Sequence, residues 1–418
     1  MAKKKRSKRK SIRDMDFFAG GEPLYGMDGP HSSTEDDDYD FDEDDDFRTA
    51  GPRESDGVRR HGDPDLADML SRALTFSGRL ERHTHGFHTY PAGMHPNCAA
   101  EIIAACPGAV HDPFCGGGTV MVEAMLAGQE SSGADISPIA ALVSRARTAP
   151  SAIATPIRAA ARRVTEQAKE PIELAIPEDA VSWYEPHVAQ EIARLNAGIL
   201  MEDPSVQPYL FAVLSAILIK TSFRESDTSN RRVPNQRPPE TTLTLFHKKA
   251  REYGRMLEEM PEGMPRPIIE RGDARTTPPP RTVDLILTSP PYPGVYDYLP
   301  MQQLRFAWLK MRPGRDYTRE LGSRRDFRAQ GRTDALKSWT RATQEWIRTQ
   351  SQALNPGGHM AIVVGDGLVG DRMVDALNPT VEAMESAGLT IVARASADRP
   401  DYARESVRVE HLILGERS

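Results

Sequence analysis

Two short segments of the chain combine residue types that could carry out a group transfer. The first, DPFCGGGT at residues 112–119, joins a carboxylate to three glycines, and the second, TSPPY at residues 288–292, joins hydroxyl side chains to a double proline and an aromatic ring. An apolar run precedes each segment and predicts a buried strand. Because ligands of open α/β sheets bind at the carboxyl ends of strands, we expect the two segments to form one site.

The first segment is suited to a cationic, nucleoside-like ligand. Three consecutive glycines, Gly116 to Gly118, let the backbone approach a ligand closely, and the carboxylate of Asp112 favours positive charge. No lysine follows at the spacing of a phosphate-binding loop, and the glycine spacing differs from that of a dinucleotide site. Asp135 ends the next predicted strand, where such sheets place a carboxylate against ribose hydroxyls.

The second segment is suited to an aromatic amine as acceptor. An amino group conjugated to a ring is a poor nucleophile, and acceptors for its two N–H groups can bend it toward an attacking geometry. The Ser289 hydroxyl and the Pro290 carbonyl are such acceptors, while Pro291 adds rigidity and Tyr292 offers a face for a flipped-out base. Rate enhancement would then come from positioning and electrostatics.

The first segment resembles the opening motif of amino-group methyltransferases that act on nucleic-acid bases, usually written DPFxGSGT, with Gly117 replacing the serine. Residues 87–96 are similar to the element that precedes this motif. Residues 271–274, RGDA, resemble the third donor motif, whose acidic residue accepts a hydrogen bond from the adenine amino group. The resemblance implies S-adenosylmethionine as the cofactor. Together with the ribose carboxylate, the implied donor-binding residues are Tyr90, Asp112, Phe114, Gly116, Gly118, Thr119, Asp135 and Asp273.

The second segment resembles the acceptor motif of cytosine-N4 DNA methyltransferases, whereas adenine-directed relatives usually carry Asn or Asp before Pro-Pro-Tyr. The resemblance implies direct transfer to cytosine N4 in DNA. The catalytic residues that it implies are Ser289, Pro290, Pro291 and Tyr292. Cys115 lies in the donor segment and no Pro-Cys pair occurs, which disfavours a carbon-5 cytosine enzyme. Adenine as target, an RNA base as substrate, and a non-catalytic nucleic-acid-binding protein that retains the fold remain alternatives.

Strands that alternate with helices predict an α/β fold with a mostly parallel sheet flanked by helices. The resemblance implies that this fold is of the class I Rossmann-like methyltransferase type. Strands are predicted at 109–111, 283–288, 359–364 and 389–392, and an edge hairpin strand at 407–414. Helices are predicted at 65–74, 96–105, 120–127, 156–169, 186–199 and 206–221. The predicted parts are a disordered tail at 1–62, a methyltransferase part with the donor motifs at 63–148, a helical insertion that could recognise the target at 149–266, and a methyltransferase part with the acceptor motif at 267–418.

The formal net charge of −7 requires any nucleic-acid-binding surface to be local. In residues 305–332, nine Lys or Arg accompany three acidic residues, which predicts a phosphate contact beside the acceptor segment. In residues 224–251, arginines accompany Asn and Gln side chains that can read base edges. Solvated arginine-rich loops are the alternative for both stretches. DNA is favoured over RNA as the partner, and a protein partner or a restriction system stays open.

The N-terminal tail divides into a basic head, residues 3–10, and an acidic run, residues 35–46. The head could bind nucleic acid or a partner and the acidic run could mimic phosphate, with two solvated tails as the alternative. No stretch reaches the length of a membrane span, and the start lacks the apolar core of a signal peptide. The three cysteines form no CxxC pair. We therefore expect a soluble, cytoplasmic protein without a structural metal site.

Overall fold

The structure is a computed structural model, and it describes residues 57–311 except 79, 81 and 92, and residues 319–369, 372–401 and 406–418. None of the helices in these ranges is both long and apolar enough to cross a membrane. The helices are α1 (Pro64–Thr75), α2 (Pro96–Ala105), α3 (Thr119–Leu126), α4 (Pro138–Arg147), α5 (Ala154–Gln167), α6 (Glu178–Val181), α7 (Pro186–Met201), α8 (Gln207–Thr221), α9 (Thr241–Glu258), α10 (Tyr298–Met301), α11 (Gln303–Leu309), α12 (Arg324–Gln330), α13 (Arg332–Ser351) and α14 (Leu377–Ser386). The strands are β1 (Val58–Gly62), β2 (Val110–Asp112), β3 (Ser131–Asp135), β4 (Ile268–Arg271), β5 (Val283–Thr288), β6 (Leu354–Gly365), β7 (Gly367–Val369), β8 (Arg372–Val374), β9 (Leu389–Asp401) and β10 (Ser406–Arg417).

Eight of these strands form one sheet, in the order β1-β9-β10-β6-β5-β2-β3-β4. The strands from β4 to β6 run parallel to their neighbours, β10 runs antiparallel to both β6 and β9, and β1 pairs antiparallel with β9 at the edge. Helices cover both faces of the sheet. This mostly parallel sheet flanked by helices has the Rossmann-like methyltransferase fold that the motifs predict.

Strand β5 forms the centre of the sheet. Its Leu285 and Leu287 point into a core shared with α1, α2 and α3, whereas Ile286 points into the opposite core, shared with α13 and α14. All three side chains are fully buried. A parallel strand covered on both faces requires such a continuous apolar run. The prolines that follow cannot continue the ladder, so the acceptor segment begins at the carboxyl edge of the sheet.

Two helices beside that edge begin with a side-chain cap. The Ser137 hydroxyl accepts from Ala140 N at 3.4 Å at the start of α4, and His95 Nδ1 accepts from Asn97 N at 3.2 Å at the start of α2. A proline occupies the first turn of each helix, where its missing N–H costs nothing. The loops that precede both helices are thereby held in place.

The predicted helical insertion contains α5 to α9. The sequence predicts α5, α7 and α8, whereas α9 overlaps the stretch 224–251, which is predicted above to read base edges. Phe246 and Tyr253 of α9 are fully buried, and the Tyr253 ring stacks on Phe87 with centroids 4.0 Å apart. The insertion therefore supports the element that precedes the donor segment.

Two predicted boundaries are wrong. The sequence places residues up to 62 in a tail, but Val58–Gly62 is the edge strand β1, held by backbone pairing to β9 and by an ion pair between Arg59 and Asp398 at 3.0 Å. Residues 1–56 of the predicted tail lie outside the described residues. The sequence also places the last strand at an edge, but β10 lies between β6 and β9 because both of its backbone edges are paired.

Candidate active site

One cleft at the carboxyl edge of the sheet brings the two predicted segments together. Its empty volume is about 990 Å³, including open solvent at the mouth. The predicted site residues that line it are Tyr90, Asp112, Phe114, Gly116, Thr119, Asp135, Asp273, Ser289 and Pro291. Pro290, between two of these lining residues, is itself buried. Both halves of the predicted site thus face the same space.

A buried hydrogen bond joins the two segments directly. The Thr288 hydroxyl donates to Asp112 Oδ1 at 2.6 Å, and the same oxygen accepts from Phe114 N at 3.0 Å. Burial raises the pKa of Asp112 to about 7, although both hydrogen bonds oppose that rise. Asp112 is therefore a carboxyl group whose charge changes near neutral pH, and a cationic ligand would favour its ionised form.

The glycine turn is packed too tightly for side chains. Gly118 has φ +82°, and a Cβ there would lie 2.8 Å from Ser144 Oγ. At Gly117, where the related motif carries serine, a Cβ would lie 2.9 Å from Arg147 Nη1 and 3.1 Å from Tyr90 Cβ. The glycine at position 117 is therefore matched to Arg147, whose Nη2 donates to the His88 carbonyl at 2.6 Å.

Asp135 fixes the glycine turn from the neighbouring strand. Its Oδ2 accepts from Gly116 N at 3.0 Å and its Oδ1 from Ser137 N at 2.8 Å. Burial raises the pKa of Asp135 to about 6, against the effect of these two bonds. The Tyr90 hydroxyl hydrogen-bonds the Ser137 side chain, and burial raises the pKa of that phenol. Tyr90 and Asp135 thus both hydrogen-bond to Ser137, at the start of the loop into α4.

Asp273 has a partner that the sequence analysis does not predict. Its Oδ1 accepts from Arg275 N at 3.0 Å and Nε at 2.9 Å, and its Oδ2 accepts from Arg275 Nη2 at 2.7 Å. Burial would raise the pKa of Asp273, but these bonds outweigh it and the pKa lies below its usual value. A carboxylate has about four acceptor positions, so one remains for a ligand donor.

Hydrogen bonds from neighbouring elements hold the acceptor segment in place. Trp339 Nε1 donates to the Pro291 carbonyl at 3.3 Å, and the Tyr292 hydroxyl donates to Glu410 Oε1 at 2.8 Å. A Cβ at Gly365 would lie 2.5 Å from Tyr292 Cε2, so this glycine makes room for the tyrosine ring. Tyr292 therefore contacts β6 and β10. Among the described residues, Tyr298 is the acceptor-side tyrosine that lines the cleft.

A buried glutamate that the sequence analysis does not single out forms part of the acceptor wall. Glu320 Oε1 accepts from Leu299 N at 3.2 Å, and its Oε2 accepts from Arg325 Nη2 at 2.7 Å. Burial raises the pKa of Glu320 to about 7, with Arg325 opposing the rise. Glu320 lines the cleft together with Tyr298 and Leu299. No sequence motif marks Glu320, because its burial and its position in the cleft depend on how the chain folds.

No protein-family model matches the chain. The type II methyltransferase M.MvaI of Kocuria varians is 35% identical over 102 residues, which cover 21% of this chain and 22% of that protein. The chain is also similar to two solved structures. TrmN from Thermus thermophilus has 12% identity and a TM-score of 0.29, over 77% of this chain and 49% of that chain. The rRNA methyltransferase aviRa from Streptomyces viridochromogenes has 12% identity and a TM-score of 0.34, over 79% of this chain and 88% of that chain.

The chain spans about a fifth of the length of the curated relative that it matches. The fold follows from the strand order and directions. It is a class I methyltransferase fold.

The described part of the chain contains no group of three or more His, Cys, Asp or Glu side chains arranged to hold a metal ion.

The two predicted basic stretches include arginines that hold the fold. Arg305 is buried and forms an ion pair with Asp227, while its Nε donates to the Ser215 carbonyl at 3.2 Å. Arg224 is also buried and donates to the carbonyls of Ser229 and Met301, each at 2.8 Å. The predicted phosphate or base contacts by Arg305 and Arg224 are therefore wrong, because both guanidinium groups are used inside the protein.

Other polar residues of these two stretches are either hydrogen-bonded within the fold or exposed. Asn235 donates to the carbonyl of Ser222 at 2.6 Å, so its amide holds its own loop. Residues 312–318 of the first stretch lie outside the described residues. Arg328 and Arg332 are exposed. A phosphate-contact surface thus has candidates in α12 and α13 and few in the loop after α8.

Proposed function

We propose that the protein is an S-adenosylmethionine-dependent methyltransferase whose acceptor is the exocyclic amino group of a nucleobase, cytosine N4 in DNA. The observation that carries the proposal is the buried hydrogen bond of 2.6 Å from the Thr288 hydroxyl to Asp112 Oδ1. This bond fixes the acceptor segment against the donor segment. A methyl donor held by one segment therefore meets an amine held by the other.

The residues around the glycine turn fit S-adenosylmethionine. Gly116 and Gly118 both have positive φ, so that the backbone can lie directly against a ligand. The carboxylates of Asp112 and Asp135 supply the negative potential that a cationic donor needs. When bound, S-adenosylmethionine supplies an electrophilic methyl group on a positively charged sulfur. Asp112 would face its methionine part, Asp135 its ribose hydroxyls, and the free acceptor position of Asp273 its adenine amino group.

On the acceptor side, the chain positions the amine. The Ser289 hydroxyl and the Pro290 carbonyl would accept its two N–H groups, which localises the nitrogen lone pair away from the ring. The bond from Trp339 to the Pro291 carbonyl keeps the loop rigid. Because Tyr292 is packed against β6, Tyr298 in the cleft wall offers the stacking surface for the base. Orientation and fixed dipoles then carry the rate enhancement.

The choice of cytosine N4 in DNA rests on the serine that precedes Pro-Pro-Tyr. The local likeness to a protein named as a type II methyltransferase supports methyl transfer. To test the proposal, the protein is incubated with isotope-labelled S-adenosylmethionine and, separately, duplex DNA, single-stranded DNA and RNA. The modified nucleoside is then identified by mass spectrometry. We expect N4-methyldeoxycytidine from DNA. Label only in RNA, or only in adenine, would contradict the proposed acceptor.

Two substitutions separate the roles of the segments. We expect Ser289→Ala to lower the turnover number about 100-fold, the scale of losing one positioned hydrogen-bond group, with donor affinity nearly unchanged. Asp135→Ala should weaken donor binding in calorimetry and change turnover at saturating donor much less. Ser205→Ala, at an exposed serine between α7 and α8, is the control. Equal losses of donor binding in both site variants would contradict this division.

A further inference from the structure

A shallow groove follows one face of α13. The side chains along it recur at helical spacing, so they share one side of the helix. Its lining includes Arg332, Leu336, Lys337, Thr340, Arg341 and Gln344. From the first to the last of these positions the helix rises about 18 Å, which is the rise of about five nucleotides along one strand of a duplex. The groove thus has the length of a short stretch of nucleic-acid backbone.

The groove is joined to the acceptor segment through packed side chains. Leu336, on its floor, packs on a small buried cluster formed by Phe327, Ala335 and Val374. Val369 packs on the same cluster, and a Cβ at Gly294 would lie 2.8 Å from its Cγ2. The β7–β8 hairpin and α13 are therefore in direct contact with the loop that continues the acceptor segment.

Two further hydrogen bonds fix this arrangement. Arg332 Nη2 donates to the Met373 carbonyl at 2.8 Å, which holds the hairpin beside the start of α13. Trp339, two residues after Lys337 and on the buried side of the same helix, donates through Nε1 to the Pro291 carbonyl. A polymer bound along the groove would consequently keep a fixed position relative to Pro291 in the acceptor loop.

The charges of the groove favour a polyanion. Arg332, Lys337 and Arg341 are exposed. Lys337 has one counter-ion, Asp334, at 3.2 Å, and both side chains of that pair are about 70% exposed, so solvent screens it. Within the described ranges, no carboxylate forms an ion pair with Arg341. Thr340 and Gln344 add side chains that can donate to phosphate oxygens.

We propose that this groove binds the sugar-phosphate backbone of the nucleic-acid substrate beside the target base. The inference rests on the proposed function, since it names the surface that would hold the substrate of that site. The linear row of cations fits evenly spaced phosphates. Its attachment to the acceptor loop distinguishes this groove from the two predicted basic stretches, the first of which ends at Arg332, where the groove begins.

The test measures binding of a fluorescent DNA duplex by anisotropy over a range of salt concentrations. The variant is Lys337→Glu/Arg341→Glu. Its matched control is Lys248→Glu/Arg251→Glu, which reverses two exposed charges on α9 in the other predicted basic stretch. We expect the groove variant to raise the Kd at least tenfold and to reduce the slope of log K against log salt by about two. The control should stay within twofold, and thermal unfolding and donor affinity should match the wild type in both.

Three results would overturn the inference: unchanged duplex binding by the groove variant, an equal loss in the α9 control, or equally tight binding of polyglutamate to the groove. The two proposals fail separately. If the wild-type protein binds duplex through the groove but transfers no methyl group, the proposed function is contradicted. The proposal that the groove binds the backbone then still stands. If the protein transfers methyl groups but its duplex binding does not change in Lys337→Glu/Arg341→Glu, the proposed groove is contradicted. The proposed function then still stands.

Discussion

Replacement of Thr288 by valine isolates the contact that joins the donor and acceptor segments. Valine matches the shape of threonine, so the change removes little beyond the hydroxyl that donates to Asp112 Oδ1 at 2.6 Å. Thr288 is fully buried, and water cannot replace the lost donor. A hydrogen bond to a charged group contributes about 1.5–3 kcal/mol, and the ionised form of Asp112 should lose about that much stabilisation.

The loss of donor affinity in Thr288→Val should depend on pH, because burial raises the pKa of Asp112 to about 7. Since one pKa unit corresponds to about 1.4 kcal/mol, losing the Thr288 donor should raise this pKa by about one to two further units. If the ionised carboxylate binds the donor, the Kd for S-adenosylmethionine should increase about four- to forty-fold at pH 7.5. The difference should shrink to less than about threefold at pH 9, where the wild type is almost fully ionised and about half or more of the variant is ionised.

Calorimetric titration of S-adenosylmethionine into both proteins between pH 6.5 and pH 9 measures this effect. Thr343→Val is the matched control, because Thr343 is also buried but its Oγ1 has no hydrogen-bond partner among the described residues. We expect the control to bind donor like the wild type. A Thr288→Val protein with wild-type affinity at pH 7.5, or with a deficit that grows toward pH 9, would refute the role assigned to this bond.

Two more predictions concern the donor segment. Gly117→Ser restores the serine of the related motif, yet it should lower the free energy of unfolding by about 1–3 kcal/mol in denaturant titrations. Its Cβ would lie 2.9 Å from Arg147 Nη1 and 3.1 Å from Tyr90 Cβ, and the buried Arg147 is held by its bond to the His88 carbonyl. A serine variant as stable as the wild type would contradict this packing. Burial raises the pKa of Asp112 to about 7 and that of Asp135 to about 6, both above the value near 4 of an unfolded chain. Their contribution to the free energy of unfolding should therefore fall as the pH rises from about 4 to 7, while donor affinity rises over the same window with release of protons. Calorimetry in two buffers of different ionisation enthalpy measures that release, and donor affinity independent of pH would argue against carboxylates as the donor's partners.

The sequence predicts the centre of the fold better than its edges. β5 matches its predicted range because a strand covered on both faces is mostly apolar, and the double proline marks its end. β1 has no such pattern, since four of its five residues are exposed and backbone pairing to a strand far along the chain holds it in place. Pairing partners that lie hundreds of residues away leave no local signal.

The same distinction applies to the site. Asp112, Asp135 and Ser289 meet in one cleft, as local motifs at strand ends predict. The sequence does not reveal that Arg305 pairs with Asp227, because composition records a charge and not its partner. Helix α9 is missed for a related reason, since its buried apolar residues alternate with Lys and Arg that suggest a solvated stretch. Both the pairing of Arg305 and the burial of α9 depend on contacts between segments distant in sequence.

Strand β1 determines where the first 56 residues are attached. Val58 pairs with Ala397, which is level with Glu410 of β10 and, through it, with Gly365 at the end of β6. Three strand spacings, about 14 Å, separate this point from the glycine on which the Tyr292 ring rests. The chain ahead of β1 thus joins the fold three strands from the acceptor loop, and a change that unpairs β1 from β9 would free this point of attachment.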